Sequence, residues 1–222
     1  ARSPQRSGLF LFLNVARHKE FSMKVMKFGG TSLANWQRFK DAAEIVNQSA
    51  GIERTAVVLS APATVTNGLI EMVEVAVSGG DYAQVLAKVE LVFNNLYGAA
   101  ADSLSSEQNC LLNDKLQQQL SFWSSKLNGM SLLGECPASV EAQILVGGEK
   151  LSAALMIEVM KSFNHSADLL LPESLLVGYG PQLESAVDIE ASKLRFNAIN
   201  LDSAQVWVMP GFTAGDNQGN IV

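Results

Sequence analysis

Short apolar segments alternate with longer amphipathic segments along this chain, and this alternation constrains the fold more than any other feature. Residues 24–28 and 55–59 predict two strands, the second buried on both faces. Between them, residues 35–50 have the i, i+3, i+4, i+7 spacing of a helix. The apolar residues on its predicted buried face are Phe39, Ala42, Ala43 and Val46. Such alternation predicts an α/β fold, with a mostly parallel sheet sandwiched between helices in three layers.

The middle of the chain predicts helices only. The second strand runs into a polar turn at residues 60–64, after which Asn67 opens another helix. Residues 81–128 contain two long helical patterns with no strand between them, which indicates a helical insertion in an otherwise alternating chain. A further helix has Pro137 in its first turn and runs to about Phe163.

The last part of the chain returns to strands. Residues 167–171 and 205–209 predict further buried strands. Residues 215–220 predict a hairpin turn that leads into residues 221–222. We therefore expect the sequence to stop inside a strand and the α/β domain to be incomplete at its carboxyl end.

The first 22 residues differ from the rest of the chain in charge. They have a net charge of +3, against −9 for residues 23–222. We interpret residues 1–22 as a disordered leader or upstream extension, and residues 23–222 as the amino-terminal part of one catalytic domain. The apolar run at residues 9–13 is too short to span a bilayer, so we expect no membrane association.

Composition excludes several functions. The net charge is −6 and no basic stripe follows residue 23, which argues against nucleic-acid binding. Cys110 and Cys136 form no CxxC motif, so we expect neither a metal site nor disulfides, and a cytoplasmic location fits best. The only histidines, His18 and His165, are not expected to act as catalytic bases.

The first candidate site is the segment Lys-Phe-Gly-Gly-Thr-Ser at residues 27–32. Gly29 and Gly30 would let backbone N–H groups approach a phosphate, with the positive end of the following helix behind them. Lys27 could offset the charge of a transferring phosphoryl group. The segment matches neither a Walker A loop nor a dinucleotide fingerprint. By itself it fits a tight turn with a solvated lysine equally well.

Six motifs in sequence order resemble the aspartate kinases of the amino acid kinase family. They are KFGGTS (27–32), SAPATVTN (60–67), SLLGECP (131–137), GEKLS (148–152), LESAVD (183–188) and PGFTAG (210–215). The similarity covers residues 23–222. The helical insertion is most similar to that of the threonine-sensitive bifunctional enzymes, in which the kinase is fused to a homoserine dehydrogenase.

The resemblance implies roles for individual residues. Lys27 would stabilise the γ-phosphoryl group during transfer. The implied phosphate- or ATP-binding residues are Lys27, Gly29, Gly30, Ser32, Gly211, Phe212 and Thr213. The implied aspartate-binding residues are Ser60, Thr66 and Glu149. Local sequence alone also fits turn-capping hydroxyls, an ordinary helix charge and a flexible glycine turn at these places.

The implied reaction is phosphorylation of the L-aspartate side chain by ATP with Mg²⁺, the first step towards lysine, threonine and methionine. No general base is needed, because a carboxylate is already ionised at neutral pH. We expect no tightly bound cofactor, and a homo-oligomer in the full-length protein. The family continues with an arginine-containing substrate segment that these 222 residues do not include, so we expect this chain alone to be weak or inactive.

Three other functions are weighed against this one. A non-catalytic module of the same fold could bind phosphate or a nucleotide without transferring it. Another amino acid kinase could act on a glutamyl or carbamate group, although the Thr66-Asn67 and Gly148-Glu149 pairs disfavour it. A dinucleotide-dependent dehydrogenase is the least favoured, because its glycine fingerprint is missing.

Overall fold

A four-stranded parallel sheet lies at the centre of the computed structural model, which describes residues 23–216 and 220–222. The predicted leader at residues 1–22 and the tip of the predicted hairpin at residues 217–219 lie outside the described residues. The strand order is β1–β2–β6–β3. These strands are β1 (Met23–Phe28), β2 (Arg54–Leu59), β3 (Ala167–Leu169) and β6 (Val206–Pro210). This arrangement confirms the predicted α/β fold.

Helices occupy most of the remaining described chain. They are α1 (Trp36–Ala50), α2 (Val65–Val77), α3 (Ala83–Ala100), α4 (Ser106–Leu133), α5 (Ala138–Leu145), α6 (Gly147–Ser162), α7 (Pro172–Leu175) and α8 (Ile189–Asn197). A separate antiparallel pair is formed by β4 (Val177–Tyr179) and β5 (Ala186–Asp188). No helix in the described ranges is both long enough and apolar enough to cross a bilayer.

The two faces of the sheet bury different sets of side chains. Val57 and Val208 point to the face covered by α1 and α6, where they join the main core. Ala56 and Trp207 point to the other face, where they join a smaller cluster with residues of α7 and the segment before β6. Strand alternation therefore places apolar residues on both faces of β2, as expected for a central strand.

The predicted buried face of α1 is confirmed, since Phe39, Ala42, Ala43 and Val46 are all buried. The predicted helical insertion is also confirmed as α3 and α4. Its polar groups are satisfied where it packs on the rest of the domain. The indole N–H of Trp123 donates to the Ile144 carbonyl oxygen at 3.1 Å, and the Tyr97 hydroxyl donates to the Leu151 carbonyl oxygen at 2.9 Å.

Two helix predictions need correction. Helix α2 begins at Val65 rather than Asn67, because the Val65 N–H already bonds to the Pro62 carbonyl oxygen at 3.1 Å. The single helix predicted from Pro137 to Phe163 is divided into α5 and α6 at Val146. The division accompanies a close contact at the start of α6, where a Cβ on Gly147 would come within 2.7 Å of the Trp123 ring.

The prediction for the third strand was wrong in length and in burial. Strand β3 has only three residues, and after two further residues the chain enters α7 at Pro172. It pairs on one side only, so Asp168 and Leu169 remain exposed. Neither the β4–β5 pair nor α8 was predicted from the sequence, because three-residue strands carry little periodicity and α8 has no buried apolar face.

Candidate active site

Three loops meet at the carboxyl edge of the sheet, because β1, β2 and β6 are adjacent and parallel. The Ser60 N–H, just after β2, donates to the Phe28 carbonyl oxygen at 3.1 Å. The Gly211 N–H, just after β6, donates to the Leu59 carbonyl oxygen at 2.8 Å. Ligands of open α/β sheets bind at this edge. The structure therefore brings the predicted segments at residues 27–30, 60–66 and 211–213 together.

The two glycines after β1 have different surroundings. A Cβ on Gly30 would lie 2.7 Å from the Ala61 carbonyl oxygen, and the Gly30 carbonyl oxygen accepts from the Ala63 N–H at 3.0 Å. Gly30 is therefore required for the packing of two loops. A Cβ on Gly29 would meet nothing within 4 Å. The backbone at Gly29 is open, which leaves room for a ligand.

A short helix that was not predicted lies between this loop and the predicted helix α1. A 3-10 helix of four residues, Gly30–Leu33, follows β1, and α1 begins only at Trp36. The α1 start is fixed by Asn35, whose side-chain oxygen accepts from the Arg38 N–H at 3.1 Å. Any helix dipole directed at Gly29 is thus that of one short turn, not that of α1.

Ser32 faces a different part of the surface. It lines a groove of about 290 Å³ between the β1 end and α1. The other residues of this groove are Phe28, Thr31, Arg38, Asp41, Ala42 and Ile45. None of the other predicted site residues, all of which are described, lines it.

Glu149 is the most unusual group at the carboxyl edge. It lies in the first turn of α6, is only 7% exposed, and its Oε2 atom has no hydrogen-bond partner among the described residues. Burial raises the pKa of this carboxyl group to about 8, and the positive charge of Lys27 on β1 opposes the rise. Lys27 itself is exposed. A buried acid and an accessible cation therefore face the same edge.

A glycine doublet places Glu149 there. A Cβ on Gly148 would lie 2.7 Å from Val65 Cγ1 and 2.9 Å from Ala61 Cβ. The absence of a side chain lets the α6 start pack directly beneath the loop after β2. This packing role was not predicted, although the consecutive glycines at the start of α6 are its signal in the sequence.

The two hydroxyl residues predicted to bind substrate lie on one segment. Ser60 is half-buried in the loop after β2, and Thr66 is exposed in the first turn of α2. Between them Thr64 has a φ of 75°, a left-handed conformation that is rare for a β-branched residue. The loop therefore adopts a strained backbone beside the candidate site.

The loop after β6 lies next to Glu149. A Cβ on Gly211 would be 3.8 Å from Glu149 Oε2 and 3.2 Å from the Leu59 carbonyl oxygen. Phe212 is 94% exposed and has a φ of 61°, while the Thr213 hydroxyl is buried without a partner in the described part of the chain. Strain, an exposed aromatic ring and an unpaired hydroxyl thus occur within three residues.

This edge is suited to a ligand that carries charges of both signs. The unpartnered oxygen of Glu149 could accept from a cationic group, and Lys27 with the open backbone at Gly29 could receive an anionic one. Within the described ranges, no group of three or more His, Cys, Asp or Glu residues could hold a metal ion.

Comparison with known proteins places the chain in a family. Residues 22–222 match the amino acid kinase family. The bifunctional aspartokinase/homoserine dehydrogenase of Buchnera aphidicola subsp. Acyrthosiphon pisum is 30% identical over 201 residues, covering 90% of this chain and 25% of that protein. The enzyme of the same name from Haemophilus influenzae is 35% identical over 203 residues, covering 90% of this chain and 24% of that protein. The chain thus spans about a quarter of the length of these relatives.

A solved structure shows the same fold. E. coli aspartokinase III, crystallised in complex with aspartate and ADP, superposes with a TM-score of 0.78 at 20% identity. The match covers 90% of this chain and 43% of that one. The four-stranded sheet with its flanking helices is therefore the architecture found in an aspartokinase.

Proposed function

This chain belongs to the amino acid kinase family, and from that membership we propose that residues 23–222 form the amino-terminal part of an aspartate kinase catalytic domain. Residues 1–22 would be a leader or upstream extension. The proposed activity is transfer of the ATP γ-phosphoryl group to the side-chain carboxylate of L-aspartate. The aspartokinases among the similar proteins support this choice of substrate.

Glu149 is the observation that carries the proposal. Its buried carboxyl group, with one oxygen unpartnered in the described structure, is costly unless a ligand pairs with it. The α-ammonium of an amino acid is a cationic group of suitable size. Because the pKa of Glu149 is about 8, the empty site holds a proton at neutral pH, which the ammonium would replace. Substrate binding would then release a proton.

Lys27 would act on the other substrate. Its charge lies close enough to Glu149 to affect that pKa, so an aspartate held there would lie near the end of β1. The aspartate carboxylate would attack the γ-phosphorus, forming a C–O–P linkage and expelling ADP. Lys27 and the Gly29 backbone would stabilise the charge on the phosphoryl oxygens during transfer. The protein would supply position and charge rather than a base.

The remaining partners follow from this chemistry. Mg²⁺ would arrive with ATP as part of the co-substrate. Ser60 and Thr66 would donate hydrogen bonds to aspartate, and Gly211, Phe212 and Thr213 would contact the nucleotide. We further propose that the full-length protein is a cytoplasmic homo-oligomer whose product serves lysine, threonine and methionine synthesis.

Hydroxamate trapping tests the proposal. The purified chain is incubated with Mg-ATP, hydroxylamine and either L-aspartate or L-glutamate. Hydroxamate from aspartate alone is the expected result, since an acyl phosphate reacts with hydroxylamine, and we expect it to form slowly because this chain by itself is expected to be weak. Hydroxamate from glutamate alone would assign the chain to another amino acid kinase. Saturable ATP binding without hydroxamate from either amino acid, and without aspartate binding in isothermal titration, would favour the non-catalytic alternative.

A further inference from the structure

Glu173 lies outside the candidate site. It contacts the start of α6, which carries Glu149, and the far end of the loop after β6. It is the second residue of α7, and its Oε1 atom lies 3.5 Å from Lys150 Nζ. The two side chains are 19% and 34% exposed, whereas those of the surface pair Glu190 and Lys193 are 82% and 63% exposed. Water therefore screens the first pair less than the second.

The burial of the Glu173 carboxylate makes its ion pair with Lys150 more important. Its Oε2 atom is buried and has no hydrogen-bond partner among the described residues. A partly buried carboxylate without a counter-charge is unfavourable, so the Lys150 ammonium is needed beside it. Lys150 directly follows Glu149 in the first turn of α6. The ion pair thus fixes the helical turn that carries the buried acid of the site.

The backbone of Glu173 contacts the loop after β6. A Cβ on Gly215 would collide with the Glu173 carbonyl group, so the two backbones pack with no room for a side chain. The Gly215 N–H donates to the Leu176 carbonyl oxygen at 2.9 Å, and the Gly215 carbonyl oxygen accepts from the Gly178 N–H at 2.8 Å. The loop that begins at Gly211 is therefore held against α7 at its far end.

We propose that Glu173 is a positioning residue, which keeps Glu149 and the loop at residues 211–215 in a fixed relation through Lys150 on one side and Gly215 on the other. The part of this inference that concerns aspartate binding rests on the proposed function. Glu173 would not contact the ligand. The Gly215 contact is made by the Glu173 backbone and survives a side-chain change. Loss of the carboxylate would therefore release the α6 turn from the unit that α7 forms with the loop, so that the two sides move independently, which weakens binding more than it weakens the fold.

The first test needs no ligand. Hydrogen exchange is measured on the 222-residue chain with Glu173→Gln, and Glu190→Gln serves as the matched control in an exposed pair. We expect exchange to accelerate about fivefold at both residues 146–151 and residues 211–216, with no change in the control. Acceleration confined to residues 172–176, or absent, would overturn the proposal, because a purely local role for Glu173 predicts that result.

The second test measures aspartate affinity by isothermal titration. Glu173→Gln and Lys150→Gln are each expected to weaken binding about tenfold, and the double variant no further, since both remove one interaction. Glu173→Asp, which keeps the charge, should recover part of the affinity. If the affinity losses of the two single variants added up in the double variant, Glu173 and Lys150 would not act through one interaction, which would contradict the proposal. If the wild-type chain binds no aspartate, the proposed function fails, while the exchange experiment still decides the positioning role.

Discussion

Polar groups of the α3–α4 hairpin, which is the helical insertion, have hydrogen-bond partners, whereas two buried polar groups at the carboxyl edge of the sheet have none among the described residues. In the hairpin, the Trp123 indole and the Tyr97 hydroxyl bond to carbonyl oxygens of the neighbouring helices. The α4 start has a capping box, in which Ser105 and Gln108 satisfy each other's backbone N–H groups. At the edge, Glu149 Oε2 and the Thr213 hydroxyl have no partner in the described structure.

This difference gives the two regions different roles: the hairpin stabilises the domain, and the edge could bind a ligand. Satisfied and apolar contacts in the hairpin contribute to the free energy of folding. Unpaired groups at the edge cost free energy in the empty protein, and a ligand could recover that cost. The two regions meet at α6, where Gly147 packs on Trp123 two residues before Glu149. Substitutions on either side of that contact should therefore have distinct effects.

The largest effect is expected from Trp123→Ala in the hairpin. The side chain is fully buried, so its removal leaves a cavity and an unpaired Ile144 carbonyl group. Unfolding in urea should show a loss of about 3–5 kcal/mol. Leu132→Ala on the exposed side of the same helix should change stability by less than about 0.5 kcal/mol. Equal effects of the two would show that the hairpin does not stabilise the domain as described.

Lys27→Ala should lower turnover and leave the stability of the domain almost unchanged. Turnover in the hydroxamate assay should fall by about 10²–10³, because a charge-stabilising group is lost, while stability stays within about 0.5 kcal/mol. Lys24→Ala on the same strand is the control, since Lys24 is also exposed and pairs only weakly with Glu53 at 4.0 Å. Unchanged turnover in Lys27→Ala would remove that residue from the mechanism.

Glu149 should make stability depend on pH. Its pKa is about 8 in the folded chain and near 4.5 when unfolded, so between these values the folded state binds more protons. The contribution of Glu149 to stability is therefore fully present below pH 4.5 and is lost as pH rises to about 8, by up to about 1.4 kcal/mol per pH unit. Glu149→Gln should remove this slope in urea unfolding between pH 5 and 9. Glu190→Gln at the surface should keep it; a slope that persists in Glu149→Gln would refute the assignment.

The smallest effect is expected at Phe212. Its left-handed backbone costs about 1–2 kcal/mol, and its exposed ring recovers little by packing. Phe212→Gly should therefore stabilise the chain by about 0.5 kcal/mol, after the larger entropy of glycine in the unfolded state is subtracted. Phe212→Ala keeps the strained φ and should give no gain. A stabilisation shared by both variants would mean that strain is not the cause.

Elements with strong local patterns could be predicted from sequence. The buried face of α1 follows from spacing within one helix, and β2 from an unbroken apolar run. Burial of β3 could not be predicted, because it depends on whether a neighbouring strand pairs at its outer side. The β4–β5 pair was missed because strands of three residues leave no periodic signal.

The position of the candidate site could be predicted from the sequence, but the burial and hydrogen bonding of its side chains could not. Motifs placed Lys27, Gly211 and Glu149 near strand and helix ends, and the adjacency of β1, β2 and β6 then brings them together. The unpartnered oxygen of Glu149 depends on long-range packing around Gly148, which no local pattern reveals. The binding and catalytic roles of these residues remain predictions.

Isothermal titration of L-aspartate into the wild-type chain and into Glu149→Gln at pH 7 tests the central claim most directly. The account predicts saturable binding by the wild type with release of a proton, and binding at least about tenfold weaker, without proton release, in the variant. Equal affinities for the two folded proteins would contradict the assignment of Glu149 to the substrate ammonium group.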